Sequence, residues 1–175
     1  MEDKYTYIHT REELKDWLDY ERDFYSTHNR RIWRFIKALR KTEYYYNRKS
    51  DGHRMARLGY CVNRARLIFW QTLFGFEIGV NVCGKGLKIA HIGSVIINNT
   101  SHVGKDCYII GNVCLGSKGG SEGPVIGDNV ELGFGACVIG NVHIGNNVYI
   151  GANAVVNKDF LEDNIRIAGV PARRI

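Results

Sequence analysis

Six histidines are present, and three of them, His91, His102 and His143, fall in a stretch dense in Gly, Val, Ile and Asn. A neutral imidazole is the side chain best suited to take a proton from a hydroxyl near pH 7. His91 is a candidate for such a general base, since it sits where a regular repeat slips and a side chain can leave the surface; a solvent-facing or hydrogen-bonded histidine with no role is the competing reading. Glu77, upstream, is a candidate to orient His91 or to hold its positive charge, as a carboxylate does in hydrolase triads. A plain surface role is the competing reading of Glu77. Residues 116–124 are rich in Gly and Ser, and a backbone N–H near Gly116 or Ser117 is the candidate donor to an oxyanion. His102 lies one turn beyond His91 and is a candidate for acceptor binding, while His143 reads as surface. The separations of the three do not suit a three-histidine metal centre, and no metal is expected. The five cysteines contain no CxxC pair and are odd in number, so they read as reduced, mostly buried thiols.

Two kinds of sequence must position these groups. Before about residues 74–78 the chain is rich in Arg, Lys, Tyr and Trp; after it, Gly, Val, Ile and Asn take over. The expected division is a helical region over 1–75 and a β region over 76–175. Thr10 followed by Glu13 is a capping-box pattern that predicts a helix carrying Leu14, Trp17 and Leu18 at helical spacing. A second helix is predicted over about residues 29–46 with Ile32, Phe35, Ile36 and Leu39 on one face. A third, from about 51 to 73, offers Met55, Leu58, Val62, Leu67 and Trp70 as contacts.

In the second half, Ile126, Leu132, Val138, Ile144, Ile150 and Val156 recur every six residues. Ile97, Val103, Ile109 and Leu115 keep that period upstream, as do Cys83 and Ile89. The register slips at about residues 91–96 and again at 116–124, which should protrude as a loop. A period of six fits neither a helix nor an alternating strand, but it suits a coil that turns a corner after every short strand. The aliphatic residue points inward, and Gly127, Gly133, Gly145 and Gly151 leave room at the corners. The expectation is a parallel β-helix of about four three-sided coils.

At these residues the sequence resembles the hexapeptide-repeat acyltransferases, whose coil is left-handed. The resemblance spans about residues 76–175 and includes the ending Ala168-Gly-Val-Pro-Ala-Arg-Arg174. Within the family it is similar to serine acetyltransferases and to the O-acetyltransferases of bacterial surface-polysaccharide synthesis. The resemblance implies acetyl-CoA as acyl donor, His91 as catalytic base, and a homotrimer with its sites between subunits. It assigns coenzyme A to Gly116, Ser117, Phe134 and Ala152, with Lys158, Arg173 and Arg174 meeting phosphates. Phe134 stands where a smaller residue is usual. The serine enzymes carry an aspartate before the catalytic histidine and a second histidine before the proline that closes the loop. Ala90 and Gly123 stand there instead, which favours a sugar hydroxyl as acceptor over serine. A trimeric scaffold without catalysis is the third reading.

Composition narrows the rest. No apolar run reaches the roughly 18 residues of a membrane span, and the start of the chain lacks the apolar core of a secretory signal, which points to the cytoplasm. The net charge is +6, concentrated in the helical half. Its stretch 30–41 is amphipathic and could either pack or lie on an anionic membrane at the inner face, near a lipid-linked sugar. No nucleic-acid reader motif is present, so no nucleic-acid partner is expected.

Overall fold

The computed structural model describes residues 7–120 and 122–175, which divide into two compact units between Phe74 and Gly75. The first holds three helices, α1 (Arg11–Thr27), α2 (Arg30–Ser50) and α3 (Ala56–Phe74). Thr10 caps α1 with its side chain on the Glu13 N–H (3.1 Å), and the Glu13 carboxylate accepts from the backbone N–H groups of His9 (2.7 Å) and Thr10 (2.9 Å). Those backbone bonds hold the Glu13 carboxyl below its ordinary range. Asn29 caps α2 through the Arg31 N–H. α2 outruns its predicted end at Tyr46 because Asp51 closes it and Gly52, at φ +88°, turns the chain.

Ile32, Phe35, Ile36 and Leu39 are all buried on α2, as their spacing predicts. Arg40 is a surprise on the same helix. It is fully buried, and its guanidinium donates to Glu21 of α1 (2.7 Å) and to Glu43 (3.0 Å) with its plane over the Trp17 ring. Burial works against its charge, but the two carboxylates overcome that and hold its pKa above even the usual arginine range. The third helix corrects the sequence reading. Leu67 is buried, yet Met55, Leu58 and Val62 are exposed, at 84%, 68% and 43%. The face turned inward instead carries Ala56, Asn63, Leu67 and Phe74. Among the described residues no helix is long and apolar enough to cross a membrane.

The second unit is a left-handed parallel β-helix. Its strands are β1 (Phe76–Ile78), β2 (Lys88–Ile89), β3 (Val95–Ile97), β4 (His102–Val103), β5 (Tyr108–Ile109), β6 (Cys114–Gly116) and β7 (Val125–Ile126). They continue as β8 (Glu131–Leu132), β9 (Cys137–Ile139), β10 (His143–Ile144), β11 (Tyr149–Ile150), β12 (Val155–Val156), β13 (Arg166–Gly169) and β14 (Ala172–Arg174). Three faces result: β1-β3-β6-β9-β12, then β4-β7-β10, then β2-β5-β8-β11-β13-β14. Every aliphatic residue of the six-residue series is buried. The first face has five layers, not four. Ile78 and Ile167 supply buried positions that fall outside the regular spacing, so the count missed them.

The corners divide their work between two residue types. Asn81, Asn112, Asn129, Asn147, Asn153 and Asn164 take the left-handed turn, with φ between 52° and 62°. Gly127, Gly133, Gly145 and Gly151 have ordinary φ and instead leave space for the next layer. A Cβ on Gly133 would lie 2.6 Å from the backbone N of Ala152. β14 folds back antiparallel on β13.

Replacing Arg40 by Ala strands two buried carboxylates and is expected to cost roughly 3–5 kcal/mol in urea unfolding. Burial pushes the Cys107 thiol up to about 12, so it stays neutral in the fold. A raised thiol pKa means that stability falls as pH climbs from the free-thiol range near ~9 towards 12. Cys107→Ala should flatten that alkaline limb in melts recorded across the same range.

Candidate active site

The register of the third face builds a column at one corner. Ile89, Ile109, Leu132 and Ile150 are aligned from strand to strand. The residue two places after each therefore shares a corner position: His91, Gly111, Phe134 and Ala152. His91 is exposed in the bend after β2, and among the described residues nothing hydrogen-bonds its ring. Gly111 has φ +155°, and a Cβ there would lie 3.3 Å from the Phe134 ring and 3.6 Å from the His91 Cβ. Phe134, 45% exposed, therefore lies against the bare backbone of Gly111, which also borders the His91 Cβ. Gly111 was not singled out from sequence; its signal is a glycine one layer beyond the candidate base. Ala152 is exposed and extends the column.

The loop at 116–124 leaves the opposite edge of the first face. Gly116 closes β6 against Ile139, and Ser117 is the first residue beyond the ladder. The stem is tied down at both ends. Asn98 donates to the Ser117 hydroxyl (3.3 Å), and the Gly123 N–H donates to the Thr100 hydroxyl (2.8 Å), which itself donates to Asn98 (2.7 Å). At the tip, Gly119 and Gly120 have nothing within 4 Å of a built Cβ and φ of +60° and +80°. Gly123 is the reverse case. A Cβ there would strike the buried Ser101 hydroxyl and lie 2.9 Å from the Ser101 backbone N. No side chain fits at 123.

The remaining candidates are dispersed. Glu77 is exposed on the outer side of β1, beside Ile96, with no hydrogen bond to His91 among the described residues. Desolvation, then the neighbouring Cys137 thiol, then the Glu77 charge raise the Cys114 thiol above its ordinary value. Cys61 is exposed and Cys114 and Cys137 are half-buried, so only Cys83 and Cys107 are the buried thiols expected. His102 lies on a different face from the His91 column, aligned with Val125 and through it with His143. The fold thus does not join His102 to His91. Lys158 is exposed beyond β12, 5.3 Å from the Phe160 ring. Arg173 is exposed on β14, and Arg174 is ion-paired with Glu162. Among the described residues no three metal-ligating side chains converge.

One edge of the first face thus carries His91 and Phe134 in a single corner column on either side of Gly111. The other offers a glycine loop with exposed backbone. Residues 123–158 of the solenoid match the family model described as bacterial transferase hexapeptide (six repeats). The hexapeptide-repeat acyltransferase resemblance read from the sequence is shown by the relatives as well. Within that class the chain is similar to serine acetyltransferases. It is 38% identical over 133 residues to the one from Mycobacterium tuberculosis, covering 71% of this chain and 58% of that protein. It is 42% identical over 109 residues to the one from Synechococcus elongatus, covering 60% and 44%. The crystal structure of the Neisseria gonorrhoeae serine acetyltransferase in complex with serine aligns with TM-score 0.70 at 26% identity, covering 93% of this chain and 69% of that one. The soybean enzyme complexed with serine shares the fold at TM-score 0.74 and 23% identity, covering 93% of this chain and 69% of its own. The chain spans about half the length of the curated relatives it matches.

Gly123→Ala should lower stability by about 1–3 kcal/mol through the clash with Ser101. Paired with Ser101→Gly it should recover part of that loss, read as the shift in thermal midpoint.

Proposed function

We propose that this protein is an acetyl-CoA-dependent O-acetyltransferase with serine as the first acceptor to consider. The observation that carries the reading is the exposed His91 at the head of the Gly111–Phe134–Ala152 column, in a chain similar to serine acetyltransferases. His91 takes the proton of the acceptor hydroxyl as its oxygen attacks the thioester carbonyl. Backbone N–H groups at Ser117 and the loop beyond hold the oxygen that becomes negative. Phe134 and Ala152 line the path of the pantetheine arm, and Lys158 and Arg173 meet phosphates. Coenzyme A leaves as the thiol.

His91 and Ser117 flank opposite edges of one face, so a single chain does not bring them together. A homotrimer does, with the loop of one subunit reaching His91 of the next. Glu77 supports His91 through its field rather than a direct bond. Serine comes ahead of the sugar hydroxyl that Ala90 and Gly123 suggest, because both curated relatives named are serine acetyltransferases. Ala90 and the closed space at Gly123 keep a sugar hydroxyl as the second reading.

The test is thiol release from acetyl-CoA with L-serine and with a panel of sugar nucleotides. Turnover should fall 10²–10⁴-fold in His91→Ala. Turnover with serine supports the first reading, and turnover with a sugar alone supports the second. No turnover with either, and no coenzyme A binding, would leave a scaffold.

A further inference from the structure

The helical unit contains a cleft of about 470 Å³ between the end of α1 and the start of α2. Five cations line it, Arg22, Arg30, Arg31, Arg34 and Lys37, around the ring of Trp33, and no carboxylate does. Its remaining walls are Tyr25 and Ser26, with the Tyr25 ring stacked on Trp33 at 5.9 Å. Arg22 pairs with Asp19 (2.7 Å). Among the described residues Arg30, Arg31, Arg34 and Lys37 have no ion-pair partner. Two of these lie over aromatic rings, Lys37 over Trp33 (5.6 Å) and Arg34 over Trp70 (5.7 Å). Those contacts fix their positions without neutralising them. The first turn of α2 adds no acid to offset the positive end of its dipole.

Like charges held this close repel one another and lower stability unless an anion joins them. Arginine forks suit phosphate oxygens in pairs, and several forks around one hollow suit several phosphates rather than one. The volume lies within the usual range for a small-molecule site, roughly 300–1,000 Å³. Arg22, Arg30, Arg31 and Arg34 are exposed and Lys37 is half-buried, so the cations around this hollow are open to an anion arriving from solvent.

We propose that this cleft is a binding site for a compact oligophosphate, an anion with at least two linked or adjacent phosphate groups. Such groups occur on free phosphate esters and on lipid headgroups. Acetyl transfer has no part in the proposal, so its success or failure leaves the acetyltransferase reading untouched.

Isothermal titration of the full chain with sodium pyrophosphate and with orthophosphate tests it, at two potassium chloride concentrations. Pyrophosphate should bind once per chain and at least tenfold more tightly than orthophosphate. The double variant Arg31→Gln/Arg34→Gln should weaken it tenfold or more while circular dichroism and thiol release stay unchanged. A control, Arg11→Gln/Lys15→Gln, removes the same charge from the start of α1 and should leave the affinity as it was. Vesicles of phosphatidylcholine with or without a bisphosphorylated inositol lipid identify the source. Capture that depends on Arg31 and Arg34 assigns a headgroup, and pyrophosphate binding without capture assigns a free ester. Absent pyrophosphate binding, or equal weakening in the control pair, overturns the site. Should the double variant prove unstable, thermal melts replace titration: a midpoint raised by pyrophosphate in the parent but not in Arg31→Gln/Arg34→Gln supports the site, and an equal rise in both overturns it.

Discussion

Along each face of the solenoid the buried aliphatic residue of every strand must land on its copy in the next layer. Burying a Val, Leu or Ile this way contributes about 1.5–3 kcal/mol. Ile89, Ile109, Leu132, Ile150 and Ile167 do so along one face, each at 0% exposure. A slip of one residue would turn such a side chain outward, so the stack fixes the register. Once the register is fixed, the corners are fixed with it. His91, Gly111, Phe134 and Ala152 meet because they follow the stacked residues, not because they attract one another. The corner column of the candidate site is therefore a by-product of interior packing, while the loop stem is held by its own hydrogen bonds.

The helical unit follows a different logic. It buries an arginine between two glutamates and under a tryptophan, where apolar packing would serve stability as well. The geometry of a guanidinium between two carboxylates admits few alternatives. Such a cluster fixes how α1 lies on α2 more narrowly than leucines would. It also places the basic side of α2 away from that contact, where Arg31 and Arg34 stay exposed.

Much of this could be read from the residues alone. The interior column was legible because one geometric event repeats with one spacing. So was α2, whose apolar residues form a single stripe. The third helix was not, because its apolar residues cover more than one face and periodicity does not say which face turns inward. Arg40 was hidden for a related reason: an arginine on an amphipathic helix reads as solvated until its partners are known, and Glu21 lies on another helix. Ile78 and Ile167 escaped because the chain reaches its first and last layers out of step. The separation of His91 from the loop depends on which corner each occupies, and sequence distance does not encode that.

β14 lies at the end of the longest face, hydrogen-bonded to β13 in the reverse direction. A stack of parallel strands presents at its end the template that another such stack could continue. The reversal replaces that template with an antiparallel edge bearing the exposed Arg173, beside Arg174 in its ion pair with Glu162. Strand edges armed with positive charge disfavour pairing with their own kind. The hairpin thus acts as a terminator on that face, working against end-to-end joining of solenoids into fibres.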